Sequence, residues 1–227
     1  MFYSKKYNLL YIASPKTGTV TVHDILEKLA PDGKRREIIT KEGRVIRSKD
    51  LRSRIMGHAP AREIKEALGE QYNELNTFAF IRHPYSKLVS SYFFNRKHSL
   101  LKRKEIKGIK SKIKTFLTIL FAKIIPFKLW VFLYPYKSNI KYIMDYNGKR
   151  IVKYIGRTEH LDNDLSYILE RLGFDTKSLT IKKLNASKHL NYEYYFKGKI
   201  FNFLVNLKFK RDLEIYQKIS LELEKSA

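Results

Sequence analysis

The chain of 227 residues contains no cysteine, so it has neither disulfides nor thiolate metal sites. That absence suits a reducing compartment. No uninterrupted apolar run reaches the roughly 20 residues that a membrane-spanning helix needs. The nearest, Phe116 to Tyr134, is broken by Lys123, Pro126 and Lys128. Met1 is followed by Phe2-Tyr3-Ser4-Lys5-Lys6-Tyr7-Asn8, with no apolar core and no small-residue cleavage site, so a cytoplasmic protein is expected. No internal repeat is found, and no paired-histidine or similar ligand spacing, so no metal is expected. Acidic residues are scarce: 22 Asp+Glu against 46 Lys+Arg leave a formal charge of +24. Such a balance favours an anionic partner (nucleic acid, acidic polysaccharide, nucleotide or membrane surface) without choosing among them.

What is present begins with a short apolar run, Leu9-Leu10-Tyr11-Ile12-Ala13, that reads as a buried strand. The turn Ser14-Pro15-Lys16-Thr17-Gly18-Thr19-Val20-Thr21 follows. Val22, Ile25, Leu26 and Leu29 then recur at helical spacing until Pro31-Asp32-Gly33 stops them. Strand, Gly/Thr/Lys turn and helix in that order make a site for a phosphate-like anion, because a helix N-terminus offers unpaired N–H groups and the positive end of its dipole. Gly18 lets the backbone approach the anion, and Lys16 adds a full charge. The order is not that of a Walker A loop, in which the lysine follows the second glycine.

Further along, Thr77-Phe78-Ala79-Phe80-Ile81 reads as a second buried strand. It runs into Arg82-His83-Pro84, and Pro84 suits the first turn of a helix whose face carries Leu88, Val89, Tyr92 and Phe93. Ala61 to Leu68 reads as a short helix and Glu37 to Thr40 as a short strand. Ile151 to Ile155 reads as a third strand ended by Gly156, Leu161 to Leu172 as a helix closed by Gly173, and much of Lys199 to Ala227 as helix. Strands alternating with helices indicate an α/β fold: a single domain over 1–227, with a central parallel sheet flanked by helices and a P-loop-like nucleotide-binding core. An arginine fork at a strand end, as at Arg82, and a hydroxyl two helical turns on, as at Ser90, are suited to gripping a second phosphate.

Taken together, Pro15-Lys16-Thr17-Gly18-Thr19 and Arg82-His83-Pro84-Tyr85-Ser86-Lys87-Leu88-Val89-Ser90-Ser91-Tyr92 resemble the two donor-binding motifs of the sulfotransferase superfamily, especially its carbohydrate sulfotransferase branch. Gly156-Arg157-Thr158-Glu159 and Leu184-Asn185-Ala186-Ser187 are weaker points of similarity. The resemblance implies 3′-phosphoadenosine 5′-phosphosulfate as donor and 3′-phosphoadenosine 5′-phosphate as product, with no metal. It implies that Lys16, the amides of Thr17, Gly18 and Thr19, and Thr21 hold the 5′-phosphosulfate. Arg82 and Ser90 would hold the 3′-phosphate. Val20 stands where many relatives carry Thr or Ser, so one hydroxyl contact is missing. Between the two motifs lies Met56-Gly57-His58-Ala59-Pro60, where relatives commonly place a catalytic base; His58 is the expected base and Lys16 the expected stabiliser of the leaving oxygen. His23, His83, His98, His160 and His189 lack comparable support.

Residues 100–140 form a basic amphipathic helical segment, with Lys102, Arg103, Lys104, Lys107, Lys110, Lys112 and Lys114 among apolar residues at helical spacing. It is expected on the acceptor side. The polybasic surface suits a glycan or lipid-linked glycan acceptor and peripheral contact with an anionic membrane, at the inner face of a bacterial one. Two other readings stand beside this one. A small-molecule or nucleoside kinase lacks the Walker A order and a clear Mg²⁺-binding pair. A nucleic-acid-binding module has the charge but no known motif, so specific nucleic-acid binding is not expected.

Overall fold

The computed structural model describes all residues except 53–56, 98–108, 177–178, 180, 182–188 and 226–227. The chain parts into two compact units, each assembled from discontinuous stretches: Met1–His83, Ser138–Asn185 and Ile215–Ala227 in the first, Pro84–Lys137 and Ala186–Glu214 in the second.

The first unit is built on a five-stranded sheet of order β3-β1-β2-β6-β7, formed by β1 (Phe2–Ser4), β2 (Leu9–Ile12), β3 (Lys34–Arg35), β6 (Asn76–Ile81) and β7 (Tyr154–Arg157). A separate two-stranded ribbon pairs β4 (Glu37–Ile39) with β5 (Val45–Arg47). β2, β6 and β7 run parallel, with Ile12 opposite Ala79 and Ile81 opposite Arg157. β1 joins β2 antiparallel, and β3 pairs antiparallel with β1 at the far edge, so that it runs in the direction of the parallel core. The apolar Phe2-Tyr3 was not read as a strand, because at three residues β1 is too short to show a period. The third strand also differs from its expected bounds: it starts at Tyr154 rather than Ile151 and includes Gly156 and Arg157.

Strand residues alternate between faces, and the core divides accordingly. Leu9, Tyr11, Phe78 and Phe80 face one side. There they pack with Val22, Ile25 and Leu26 of α1 (Thr19–Leu29) and with Leu161, Leu165, Ile168 and Leu169 of α7 (Leu161–Arg171). Leu10, Ile12, Ala79, Ile81 and Ile155 face the other. They meet Ala61, Ile64 and Leu68 of α2 (Ala61–Leu68), Tyr72 of α3 (Gln71–Glu74) and Ile219 of α8 (Lys199–Glu224). The sheet is therefore covered by helices on both faces, as buried parallel strands require.

The second unit is helical. α4 (Pro84–Lys97), α5 (Ile109–Ile124) and α6 (Phe127–Leu133) pack with the first part of α8 around Leu88, Val89, Tyr92, Ala122, Trp130, Val205 and Phe209. The expected basic segment at 100–140 is thus two helices parted at Ile125-Pro126; Lys102, Arg103, Lys104 and Lys107 lie outside the described residues.

Gly156 sits in β7 directly opposite Phe80, and a Cβ there would come within 2.5 Å of the Phe80 ring. Gly156→Ala should therefore lower stability by about 1–3 kcal/mol, the usual cost of overpacking a filled core. Urea unfolding of the two proteins checks this; equal midpoints would show that the ring moves aside freely.

Candidate functional site

The parallel strands β2 and β6 end side by side, and the chain leaves both at the same edge of the sheet. From β2 it enters the loop Ser14–Gly18 and then α1. Ser14 and Thr17 are fully buried, and the Thr17 hydroxyl donates to the Ser14 carbonyl at 2.8 Å, closing the loop on itself. Lys16 and Gly18 both take left-handed backbone, at φ 67° and 70°. Alternation of this kind turns successive N–H groups toward one concavity. For Gly18 the conformation is free; for Lys16 it costs about 1–3 kcal/mol and must be held by its surroundings. The first helical bond runs from the Val22 N–H to the Gly18 carbonyl at 3.1 Å. No acidic residue stands in the first turn to compete with an anion. Val20 is exposed there, whereas Thr21 is turned inward and buried.

Arg82, just past the end of β6, reaches into this loop. Its Nη1 donates to the Lys16 carbonyl at 3.1 Å, pinning the peptide that carries the left-handed lysine. Both cations are substantially withdrawn from water. Burial, and then the Arg82 charge, lower the Lys16 ammonium pKa to about 7. Arg82 is itself lowered by burial, with Glu159 and then Tyr216 opposing the shift. Two cations withdrawn from water at a helix N-terminus make a site whose charge balance is completed by a bound anion.

The backbone at the end of β6 is held by side chains from two other parts of the chain. Thr158 Oγ1 donates to the Ile81 carbonyl at 2.8 Å, Asn139 Nδ2 to the Arg82 carbonyl at 2.8 Å, and the His83 N–H to Glu159 Oε1 at 3.0 Å. Glu159 Oε2 accepts from the Tyr216 hydroxyl at 3.0 Å, and the Tyr216 ring meets the His83 ring edge-on. Gly156-Arg157-Thr158-Glu159 therefore has a structural meaning. Gly156 admits Phe80, Thr158 and Glu159 tie the end of β6, and Arg157 binds Asp164 in the first turns of α7. That last contact is three-point: the backbone N–H at 2.6 Å, Nε at 3.1 Å and Nη2 at 3.3 Å. Sequence reasoning missed Asn139 and Tyr216; no motif surrounds either, and only the fold brings them to Arg82 and Glu159.

His58 lies in the turn that leads into α2, after Gly57 with its left-handed φ of 78°. It does not cap α2, whose cap is Pro60 without a side-chain bond. Instead Nδ1 stands 2.9 Å from the carbonyl of Ala13, the residue that joins β2 to the loop. A carbonyl only accepts, so Nδ1 carries the proton and Nε2 of the neutral ring holds the lone pair. His23, by contrast, packs edge-on against Tyr11, and burial drives its pKa down to about 3. It remains neutral and inside. His83 lies at the strand end, His160 is exposed, His189 is partly buried with its ring stacked on Phe93, and His98 lies outside the described residues.

Lys16, Thr17, Gly18, Thr19, Thr21, His58 and Arg82 thus all belong to the first unit, gathered at one edge of its sheet by β2, β6 and the turn before α2. Ser90 belongs to the second unit, where it is 4 % exposed on α4. The stretch Leu184-Asn185-Ala186-Ser187 lies outside the described residues. Among the described residues no cluster of His, Asp and Glu is suited to a metal ion.

Compared with known proteins, residues 1–217 match the family model described as the sulfotransferase family. No curated protein and no solved structure is matched.

The Arg157–Asp164 pair is about nine-tenths buried on both sides. Asp164→Ala should cost about 3–5 kcal/mol, the usual penalty for leaving a buried charge without its partner. Chemical denaturation measures this, and a loss below about 1 kcal/mol would show that Glu224, 3.0 Å from the same guanidinium, suffices.

Proposed function

The chain belongs to the sulfotransferase family, and we propose that it carries a sulfuryl group from 3′-phosphoadenosine 5′-phosphosulfate to a hydroxyl of a carbohydrate or glycan acceptor. On this reading residues 1–227 work as one sulfotransferase domain. Sulfuryl transfer is what the family performs; the donor, the acceptor class and the role of each residue are our reading. The observation that supports it best is the pairing of Lys16 and Arg82 at the N-terminus of α1, joined by the bond from the Arg82 guanidinium to the Lys16 carbonyl.

The residues fit such a donor. The loop amides and Lys16 are suited to the 5′ end, where the charges are densest and the backbone is open. Arg82 is suited to the 3′-phosphate. Ser90 is assigned to the same phosphate by the sequence motif alone. Bound there, the donor supplies the sulfuryl group and a good leaving phosphate. The protein's part is to place charge where charge develops. The Lys16 ammonium and the loop N–H groups face the oxygens that become more negative, and being fixed in advance they need no reorganisation. His58 is placed to take the acceptor proton at Nε2. Its Nδ1–H stays on the Ala13 carbonyl, which holds the tautomer and stabilises the ring as it becomes charged. The logic is that of phosphoryl transfer, in which positioning and electrostatics do most of the catalysis.

Calorimetric titration with 3′-phosphoadenosine 5′-phosphate, with AMP and ATP as controls, tests the donor site. Binding should require the 3′-phosphate and should weaken at least about tenfold in Arg82→Ala, the scale of one hydrogen bond to a charged group. Equal binding of all three nucleotides would overturn the reading. Lys16→Ala should lower turnover by about 10²–10³-fold, as expected for removing one donor to a developing oxyanion.

The pH dependence has a definite sign. The form of Lys16 that favours an anion is the ammonium, and in the free protein its pKa is about 7. A bound anion raises that pKa. Affinity should therefore be full below pH 7 and should fall above it, by up to about tenfold per pH unit, until the raised pKa of the complex is passed. Titration at pH 6, 7, 8 and 9 reads this directly. A flat profile would mean that Lys16 does not face the anion.

A further inference from the structure

Three helices of the second unit, α5, α6 and the first part of α8, carry apolar residues on two faces, and only one of these is buried. In α8, Val205 and Phe209 are buried in the unit's core, while Ile200 (79 % exposed), Phe203 (62 %), Leu204 and Leu207 recur at i, i+3, i+4 and i+7 on the outward side. In α6, Trp130 and Val131 are buried, while Leu129 and Leu133, one helical turn apart, are exposed. In α5, Ile119 and Ala122 are buried, while Ile113, Leu117, Phe121 and Ile124 (69 %), at i, i+4, i+8 and i+11, face outward along one helical stripe. A soluble surface helix has one apolar stripe, not two.

α6 links the other two helices. α6 follows α5 across Ile125-Pro126. It is joined to α8 by the Phe132–Phe201 ring contact, the Lys128 ammonium over the Phe201 ring and the bond from Lys208 Nζ to the Phe132 carbonyl at 2.6 Å. An exposed apolar surface drawn from three helices, well beyond scattered single residues, marks a docking site.

Charge says what docks there. From Ile109 to Leu133 the chain has no Asp or Glu and carries Lys110, Lys112, Lys114, Lys123 and Lys128. From Tyr194 to Arg211 it again has no acid and carries Lys197, Lys199, Lys208, Lys210 and Arg211. A second copy of the chain would bring the same cations against these, so self-association through this face is opposed by its own charge. An anionic bilayer satisfies both features: acyl chains take the apolar stripes, and the positive charge of these segments is drawn to headgroup phosphates. No helix among the described residues is long and apolar enough to cross a membrane, so the contact is with one leaflet. We propose that the outward faces of α5, α6 and the first part of α8 form a monotopic docking surface for an anionic lipid bilayer. The proposal does not rest on the donor site.

Vesicle flotation of the full chain tests it, with phosphatidylcholine alone and with phosphatidylcholine containing 30 mol % phosphatidylglycerol, a composition chosen to give about one anionic lipid in three. The protein should float with the anionic vesicles and release partly at high salt. Phe203→Glu/Leu207→Glu should weaken binding at least tenfold, as should Lys123→Glu/Lys199→Glu. Leu221→Glu, an exposed apolar residue in the part of α8 that belongs to the first unit, should leave it unchanged. Unaltered thermal unfolding and unaltered nucleotide titration would show that the variants fold and would separate this result from the donor reading. Three outcomes overturn the proposal. One is no flotation with either vesicle. Another is binding lost with the charge reversals but kept in Phe203→Glu/Leu207→Glu, which would reduce it to the attraction of any polycation. The third is a dimer in light scattering that Phe203→Glu/Leu207→Glu dissociates, which would assign the face to a second copy of the chain.

Discussion

Glu159 carries much of the burden of the candidate site. Arg82 and Lys16 are both drawn out of water, and burial, with the Arg82 charge added at Lys16, raises the cost of charging them. A carboxylate placed against the end of β6 offsets part of that cost. The same carboxylate accepts the His83 N–H with one oxygen and the Tyr216 hydroxyl with the other, so it fixes both the electrostatics and the course of the chain as it leaves the strand. Without an acceptor there, the His83 N–H would be unsatisfied and the guanidinium would lose its opposing charge. Glu159 is itself placed by β7, whose register with β6 is set by the fit of Gly156 against Phe80. A packing contact between β6 and the edge strand β7 thus bears on the position of a charge just beyond the strand ends.

The cations remain the less comfortable partners in this arrangement, and that is what makes the site chemically useful. Lys16 is held in left-handed backbone by the Arg82 bond to its carbonyl, and its ammonium is held near the point of losing its proton. Strain and incomplete charge compensation concentrated at one loop are common marks of a site awaiting a ligand. His58 differs, because its environment sets a tautomer. The Ala13 carbonyl at the foot of the same loop takes its Nδ1–H, so the loop that receives the anion also orients the imidazole.

The second unit follows another logic. Its interior is aromatic: Tyr85 stacks on Phe196, and Tyr92 meets Phe127 and Trp130 edge-on. The periodicity of α4 was visible in the sequence as Leu88, Val89, Tyr92 and Phe93, and those residues do pack in this core. The helical spacing of Ile109, Ile113, Phe116, Leu117 and Leu120 was visible as well. What could not be read was that these helices have apolar residues to spare, since a second stripe shows only when burial tells inward from outward.

The sequence by itself determined the local pieces whose causes are local. Strand, glycine turn and helix around Lys16, the strand running into Arg82 and Pro84, and the short helix from Ala61 to Leu68 all follow from hydrophobic period, turn chemistry and helix propensity within a few residues. Tertiary structure alone decided what depends on distant stretches meeting. β1 joined the sheet although its three residues carry no period, because its partners Leu9–Tyr11 supplied the ladder. Asn139, Thr158, Glu159 and Tyr216 converged on the end of β6 because unsatisfied backbone groups there must find partners wherever the fold provides them. His58 became an oriented imidazole because the fold set its ring against the Ala13 carbonyl, 45 residues earlier in the chain.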